Sequence, residues 1–128
     1  MFDLSDHDYK AYAEKGAEIE LHDIFSGEPL GVFIGVIGED SEDWQEALDE
    51  ASLIKPGQKK SRQEKVKDMA YSLSSATTHW RGMGCKGKEI EFSKDAAMAI
   101  YSQYQWIADQ VFVAIKDRAL FLVNASKH

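Results

Sequence analysis

Residues 80–93 read WRGMGCKGKEIEFS, and they separate two helical patterns of the sequence. Three of these residues are glycines, at positions 82, 84 and 87, so a sharp turn with positive φ is predicted here. The run that follows, residues 94–122, carries many of the large apolar side chains at helical spacing. Because such a surface is buried in a folded protein, the upstream residues are expected to cover it or to leave part of it for a partner.

The run of residues 94–122 has a predicted start, an interruption and an irregular second half. Ser93 is the predicted N-cap, with Asp95 in the first turn, and a kink is expected near residues 103–105. Beyond it, Gln110 and Arg118 interrupt the apolar stripe. Polar residues in such positions either bond buried backbone groups or mark the edge of an interface. The predicted apolar face consists of Ala96, Ala97, Ile100, Tyr101, Tyr104, Trp106, Ile107, Val111, Ala114, Ile115 and Phe121 or Leu122.

The first part of the chain contains a predicted helix and a predicted β-hairpin. An S-x-x-D pattern at residues 5–8 indicates a helix from about Asp6 to Lys15. Apolar and polar residues then alternate over residues 17–25, turn residues follow at 26–29, and β-branched residues are frequent in 30–37. This order is typical of a hairpin, which is marginal alone and should pack on the helices or pair with another chain.

Two further helices are predicted before the glycine-rich turn. Ser41 or Asp40 can cap a helix whose apolar side includes Trp44. From Ser61, apolar residues follow helical spacing as far as Trp80, which indicates a helix of about 18 residues. The outer face of the earlier helix is acidic and consists of Glu42, Asp43, Glu46, Asp49 and Glu50.

Together these elements predict an α+β, mostly helical fold, with an N-terminal β-hairpin packed on a bundle of about four to five helices. At 128 residues the chain is expected to be a single domain. Its predicted parts are a short helix plus hairpin (1–38), an acidic helix (39–54), a basic flexible loop (55–62), a helical core (63–122) and a frayed tail (123–128).

The composition indicates a cytoplasmic protein. No apolar run approaches the roughly 18 to 20 residues that span a bilayer. The acidic N-terminus lacks the charge and apolar pattern of a signal peptide, and a single cysteine excludes an intrachain disulfide. No membrane partner is therefore expected.

Charge is divided unevenly along the chain. Residues 1–54 hold 15 acidic and 2 basic side chains, a net charge of -13, whereas residues 55–128 hold 7 acidic and 13 basic, a net charge of +6. The two halves can attract each other within one fold or be solvated separately. Alternatively, the acidic face of one copy docks on the basic face of the next, a head-to-tail contact that builds a homo-oligomer. The candidate basic face consists of Lys55, Lys59, Lys60 and Arg62.

The same basic cluster raises the question of nucleic-acid binding. Six basic residues lie between Lys55 and Lys67 and could contact phosphates. No aromatic residue is interleaved with them, and the chain as a whole is acidic. A solvated linker is the favoured interpretation, so no nucleic-acid partner is predicted.

Reactive chemistry has little support in the sequence. Cys85 follows His79 by six residues, but an activated thiol also needs a group that orients the imidazole, and no surrounding signature supplies one. The acidic helix lacks the D-x-[DN]-x-[DN]-G spacing of a calcium loop, and one cysteine with scattered histidines has no zinc-ligand spacing. We therefore predict a non-enzymatic protein without catalytic, cofactor-binding or metal-binding residues.

Aromatic, glycine and turn residues occur in a distinctive order along the chain. They are IFSGEPL at residues 24–30, GEDS at 38–41, WRGM at 80–83, GKEIEFS at 87–93, Tyr101, WIADQV at 106–111 and KDRALFL at 116–122. In this pattern, which covers roughly residues 18–122, the chain resembles the tail assembly chaperones of long, non-contractile-tailed bacteriophages.

The resemblance implies a function and a set of partners. Such chaperones are made in the cytoplasm of the infected bacterium, coat the helical tape-measure protein, hand it over to the tail-tube protein and are absent from the finished virion. Many also exist in a longer, frameshift-extended form. The alternative is a phage neck or tail structural protein that stays in the particle. A helical client requires an aliphatic and aromatic groove. The candidates for client binding or self-association are Trp80, Arg81, Tyr101, Tyr104, Trp106, Gln110, Arg118 and Phe121. For each aromatic candidate taken singly, a core position is the favoured interpretation.

Overall fold

The computed structural model describes residues 1–51 and 60–126. Within these residues the fold is α+β and mostly helical, as predicted. A 3-10 turn at Leu4–His7 precedes the first helix. The helices are α1 (Tyr9–Lys15), α2 (Glu42–Ala51), α3 (Arg62–Ser75), α4 (Lys94–Gln103), α5 (Gln105–Lys116) and α6 (Arg118–Ser126). The strands are β1 (Ala17–His22), β2 (Pro29–Val36), β3 (Thr77–Arg81), β4 (Gly84–Cys85) and β5 (Lys88–Glu89).

The predicted hairpin is confirmed and forms two strands of a three-stranded antiparallel sheet in the order β1-β2-β3. Ile19 pairs with Ile34 and Ala17 with Val36. The β-branched residues of β2 suit its central position between two neighbours. A separate two-stranded ribbon, β4 with β5, follows the sheet along the chain.

The third strand corrects the helix predicted from Ser61 to Trp80. Helix α3 ends at Ser75, and Trp80 lies in β3 opposite Ile34. Residues 77–80 read TTHW, a β-branched and aromatic run that favours a strand, and the open side of β2 offers backbone partners that a longer helix would leave unbonded. The apolar spacing had matched a helix because the buried residues Leu73, Ala76 and Trp80 recur at intervals of three and four.

The core lies between the sheet and the C-terminal helices. Helix α3 packs against α2 and α4, and α1 packs against α6. Inside the core, Tyr101 shares a hydrogen bond of 2.8 Å with Thr77, and burial raises the pKa of Tyr101 to about 12. The largest fully buried apolar and aromatic side chains are Trp44, Tyr101, Leu21, Ile34, Leu73, Ile115, Val36 and Val111.

The long apolar run is three helices rather than one kinked helix. The kink predicted near residues 103–105 is a break at Tyr104, which has φ -110° and ψ 82°. A second break, at Asp117, was not predicted. The Asp117 carboxylate accepts a hydrogen bond of 3.1 Å from the Ala119 amide, so it caps α6. Helix α6 then continues to Ser126, so residues 123–126 of the predicted tail are helical, and residues 127–128 lie outside the described residues.

The predicted basic loop at residues 55–62 is described only at its end. Lys55 and Lys59 lie outside the described residues. Ser61 caps α3 by accepting a hydrogen bond of 3.2 Å from the Glu64 amide, and Arg62 is the first residue of that helix.

None of the helices in the described ranges is long and apolar enough to cross a bilayer.

Candidate functional site

An apolar depression lies between the β4–β5 ribbon and the junction of α4 and α5; we call it the elbow cleft. Its volume is about 430 Å³. Tyr104 and Trp106, two of the predicted contact residues, lie together in its wall. Tyr104 is 40% exposed, and Trp106 is half-buried. Other apolar residues of the wall are Val32, Met83, Ile90 and Ile100.

The position of the elbow cleft depends on two glycines with positive φ, as predicted for this turn. Gly82 has φ 83°, and a Cβ placed there would lie 2.3 Å from the Gly31 carbonyl oxygen. Gly87, with φ 81°, turns the ribbon back on itself. The Trp80 indole donates a hydrogen bond of 2.8 Å to the Ile90 carbonyl, which ties the end of the ribbon to the sheet. The ribbon is therefore held as one wall of the cleft.

Three of the predicted contact residues are core residues. Trp80, Tyr101 and Phe121 are all buried. Trp80 packs edge-on against Phe92, with ring centroids 5.0 Å apart. These aromatic side chains stabilise the fold and are not exposed for contact with a partner.

Gln110 bonds backbone, which was one of its two predicted roles. Its side-chain oxygen accepts a hydrogen bond of 2.9 Å from the His22 amide, and its nitrogen donates one of 2.8 Å to the His22 carbonyl. The amide of Gln110 thus continues the hydrogen-bonding pattern of a neighbouring strand at the end of β1.

Gln110 also borders an open depression between β1 and helix α5; we call it the α5 trough. Its volume is about 390 Å³. Ile19, Val113 and Leu120 contribute apolar surface, and Val113 is 66% exposed. Its acidic lining residues are Glu20, Asp109 and Asp117. Sequence reasoning missed Val113, although two adjacent apolar residues, Phe112 and Val113, outside the buried stripe were a signal for it.

Arg81 lies on the face of the sheet opposite the core. Its guanidinium donates a hydrogen bond of 2.9 Å to Glu18 and lies 3.8 Å from the centroid of the Phe33 ring. His79 also contacts Glu18, at 3.0 Å. Hydrogen bonds from Arg81 and, secondly, His79 lower the pKa of Glu18. This surface is polar and exposed, and its charges are paired within the chain.

Arg118 is paired in the same way. Its guanidinium donates hydrogen bonds of 2.7 and 2.9 Å to the two carboxylate oxygens of Asp40 and lies 3.3 Å from Glu39. The Arg118 hydrogen bond lowers the pKa of Asp40. Lys116 contacts Glu39 at 2.7 Å. Part of the charge division between the two halves therefore serves attraction within one chain.

The acidic face is exposed on α2, while the described part of the basic face is partly engaged. Glu50 accepts a hydrogen bond from the Tyr71 hydroxyl. Lys60 contacts the Asp68 carboxylate and the Ala51 carbonyl, whereas Arg62 is exposed. The exposed residues of the acidic face are Glu42, Asp43, Glu46, Asp49 and Glu50.

A further apolar surface was not predicted. Residues 23–30, here called the hairpin tip, expose Phe25 to 94% and also expose Ile24 and Leu30. The signal in the sequence was an apolar pair directly before the turn residues SGEP, on a loop where polar residues are usual.

The residues weighed for reactive chemistry are separated by the sheet. Cys85 lines the elbow cleft, whereas His79 bonds to Glu18 and Thr78 on the outer face. Within residues 1–51 and 60–126, no group of three His, Cys, Asp or Glu side chains could hold a metal ion.

Comparisons of the chain with protein-family models, with curated proteins and with solved structures find no match.

Proposed function

We propose that this protein is a non-enzymatic tail assembly chaperone of long, non-contractile-tailed bacteriophages. It self-associates, coats the tape-measure protein in the cytoplasm of the infected bacterium and is absent from the mature virion. The resemblance carried by residues 18–122 supports this function, and the α5 trough is the observation that carries it.

The α5 trough has the shape and chemistry that a helical client requires. Asp109 and Val113 lie four residues apart on one face of α5, about 6 Å along its axis, and Asp117 lies directly after the end of the helix. The apolar surface between them suits the apolar stripe of an amphipathic helix. The acidic side chains at its margin favour clients whose stripe is flanked by lysine or arginine.

Coating a long client requires contact between copies as well as contact with the client. The exposed carboxylates of α2 form an acidic surface on the first half of the chain. Exposed basic residues of the second half, such as Arg62, Lys86 and Lys88, supply the opposite charge. Unlike surfaces that meet in this way produce head-to-tail chains, which can extend along a client.

The client contact is tested with Val113→Asp and a matched control, Leu4→Asp. Leu4 is 78% exposed and lies outside the trough. When the protein is co-expressed with the long helical tail protein of its phage, Val113→Asp should weaken co-purification by about tenfold or more, because a charge replaces apolar contact. The control should bind normally. Equal binding by both variants would contradict a client site in the trough.

Mass spectrometry of purified virions separates the chaperone from a retained structural protein. A chaperone is lost before the particle is complete, so its peptides should be absent while tail-tube peptides are abundant. Peptides present in proportion to the tail-tube protein would establish the neck or tail structural role instead.

A further inference from the structure

The hairpin tip presents an apolar side chain that the fold leaves in solvent. Phe25 is 94% exposed and Ile24 is 60% exposed. Large apolar side chains grouped on an exposed turn are characteristic of interaction sites, because their exposure to water does not stabilise the fold. Phe25 does not fill the elbow cleft of its own chain, although Leu21 and Val32 at the base of the same hairpin contribute to that cleft.

The hairpin tip is held in one conformation. The Asp23 carboxylate accepts hydrogen bonds of 2.9 Å from the amides of Phe25 and Ser26. The Asp23 amide donates to the Glu28 carbonyl, and the Gly27 amide donates to the Asp23 carbonyl, both at 2.9 Å. Because the turn is ordered before it meets a partner, little conformational entropy is lost on binding.

The elbow cleft matches the tip in size and in polarity. At about 430 Å³ it falls within the range of roughly 300 to 1,000 Å³ that ligand sites occupy. Its wall includes Met83, Tyr104 and Trp106, which are residue types that contact aromatic rings well. One phenylalanine with a neighbouring aliphatic side chain would cover this surface.

The charges around the two surfaces are opposite. The hairpin tip, residues 23–30, contains two acidic side chains and no lysine or arginine. Residues 84–89, which form the ribbon beside the cleft, contain two basic side chains and one acidic side chain. Glu28 on the tip and Lys88 on the ribbon are both exposed. Opposite charges at the margin of an apolar contact steer the encounter and fix its orientation.

We propose that the hairpin tip of one copy inserts Phe25 into the elbow cleft of a second copy. This contact rests on the proposed function and deepens it, since it adds an apolar contact between copies to the charged contact of the α2 surface. Each copy offers one tip and one cleft, and the α5 trough remains available for the client.

The test uses two variants that each remove one side of the contact. Phe25→Asp removes the inserted side chain but keeps the cleft. Ala99→Trp fills the cleft from an exposed position of α4 but keeps the tip. In sedimentation equilibrium of the full chain, the wild type should associate, and each variant alone should do so at least about tenfold more weakly. An equimolar mixture should form one-to-one pairs, because the Phe25→Asp copy can receive the tip of the Ala99→Trp copy.

Charge reversal provides a second measurement that leaves the apolar contact intact. Glu28→Lys and Lys88→Glu should each weaken association, and a chain with both changes should recover it. Circular dichroism verifies that each variant is folded, and Leu4→Asp is the control for an altered exposed apolar residue.

Three results would overturn the contact: a wild type that stays monomeric, a Phe25→Asp variant that associates like the wild type, or a mixture that forms no pairs. These outcomes concern the protein alone. A monomeric wild type would also contradict the self-association in the proposed function. If the wild type associates but Phe25→Asp associates equally well, or the mixture forms no pairs, only this contact fails, and loss of client binding in Val113→Asp would still support the proposed function.

Discussion

A single glycine determines where the ribbon of the elbow cleft begins. Gly82 has φ 83°, a conformation that other L-residues adopt rarely. In addition, its Cα passes so close to β2 that an added Cβ would meet the Gly31 carbonyl at 2.3 Å. Gly27 in the hairpin tip has a similar φ of 75°, but open space surrounds it. A side chain at Gly27 would therefore meet only backbone strain, whereas a side chain at Gly82 would meet backbone strain and steric overlap.

Alanine at these two positions should have different effects on stability. Gly27→Ala should lower the free energy of unfolding by roughly 1 kcal/mol, which is the conformational term alone. Gly82→Ala should lower it by roughly 3 kcal/mol, because the backbone must also move away from Gly31. Urea denaturation followed by tryptophan fluorescence measures both values. Equal losses would show that the approach of Gly82 to Gly31 is not important for stability.

At the scale of elements, one side chain takes the place of a neighbouring strand. Strand β1 is at the edge of the sheet, and at its end Gln110 bonds both the amide and the carbonyl of His22. Edge strands expose unpaired backbone groups, and this contact satisfies those of His22. It also holds α5 beside β1, where the α5 trough is formed.

Removing the Gln110 amide should loosen the end of β1. Gln110→Ala eliminates two hydrogen bonds to a partly exposed site that water can reach, so a loss of about 1 kcal/mol in the free energy of unfolding is expected. Hydrogen exchange of the His22 amide should accelerate by about tenfold or less. Gln63→Ala, at an exposed position of α3, is the matched control and should leave that amide unchanged. Unaltered exchange in Gln110→Ala would contradict this role.

Local signals predicted some elements well and others poorly. The hairpin was predicted because its alternation and turn residues act over short distances. The Ser93 cap was predicted for the same reason, and Ser93 accepts a hydrogen bond from the Ala96 amide at 3.0 Å. Strand β3 was missed because pairing with β2, more than 40 residues earlier, overrides the apolar spacing around Trp80.

The candidate surfaces were predictable only in part. Tyr104 and Trp106 lie in the elbow cleft, but burial of Tyr101 only three residues before Tyr104 depends on packing against the sheet. Phe25 was missed because the exposure of a turn residue depends on whether another part of the fold packs against it. Residue type indicated which side chains could contact a partner, and tertiary contacts determined which of them are exposed.

At the scale of the whole molecule, ion pairs join the acidic first half to the basic second half. Arg118 contacts Asp40 and Glu39, and Arg81 contacts Glu18. Each pair links distant parts of the chain. It stabilises the fold only while its carboxylate is ionised, so its contribution depends on pH.

This arrangement predicts an acid-sensitive fold. The pKa of Asp40 is lowered by Arg118, so its contribution is complete above the ordinary aspartate pKa of about 3.9 and is lost as the pH falls through the lower folded value. The free energy of unfolding should therefore decrease below about pH 4. Arg118→Met should be less stable at pH 7 and should show a shallower decrease below about pH 4.

Arg62→Met is the control for this prediction, since Arg62 is exposed at the start of α3. Chemical denaturation from about pH 7 to pH 2 measures the effect, and the control should follow the wild type in slope. If Arg118→Met and the wild type lose stability in parallel below about pH 4, the Asp40 contact does not contribute to the acid response.

The packing of α6 against α1 has a consequence for the order of folding. The Asn124 side chain donates a hydrogen bond of 2.8 Å to the Gly16 carbonyl across a separation of 108 residues, and Phe121 packs where Gly38 and Ala13 meet. Closing so long a loop has a high entropic cost until other contacts have shortened it. We therefore expect α6 to dock late in folding, after other contacts have brought the α1 region near it. On this order of folding, the α1 surface that α6 covers stays accessible to other chains until α6 docks.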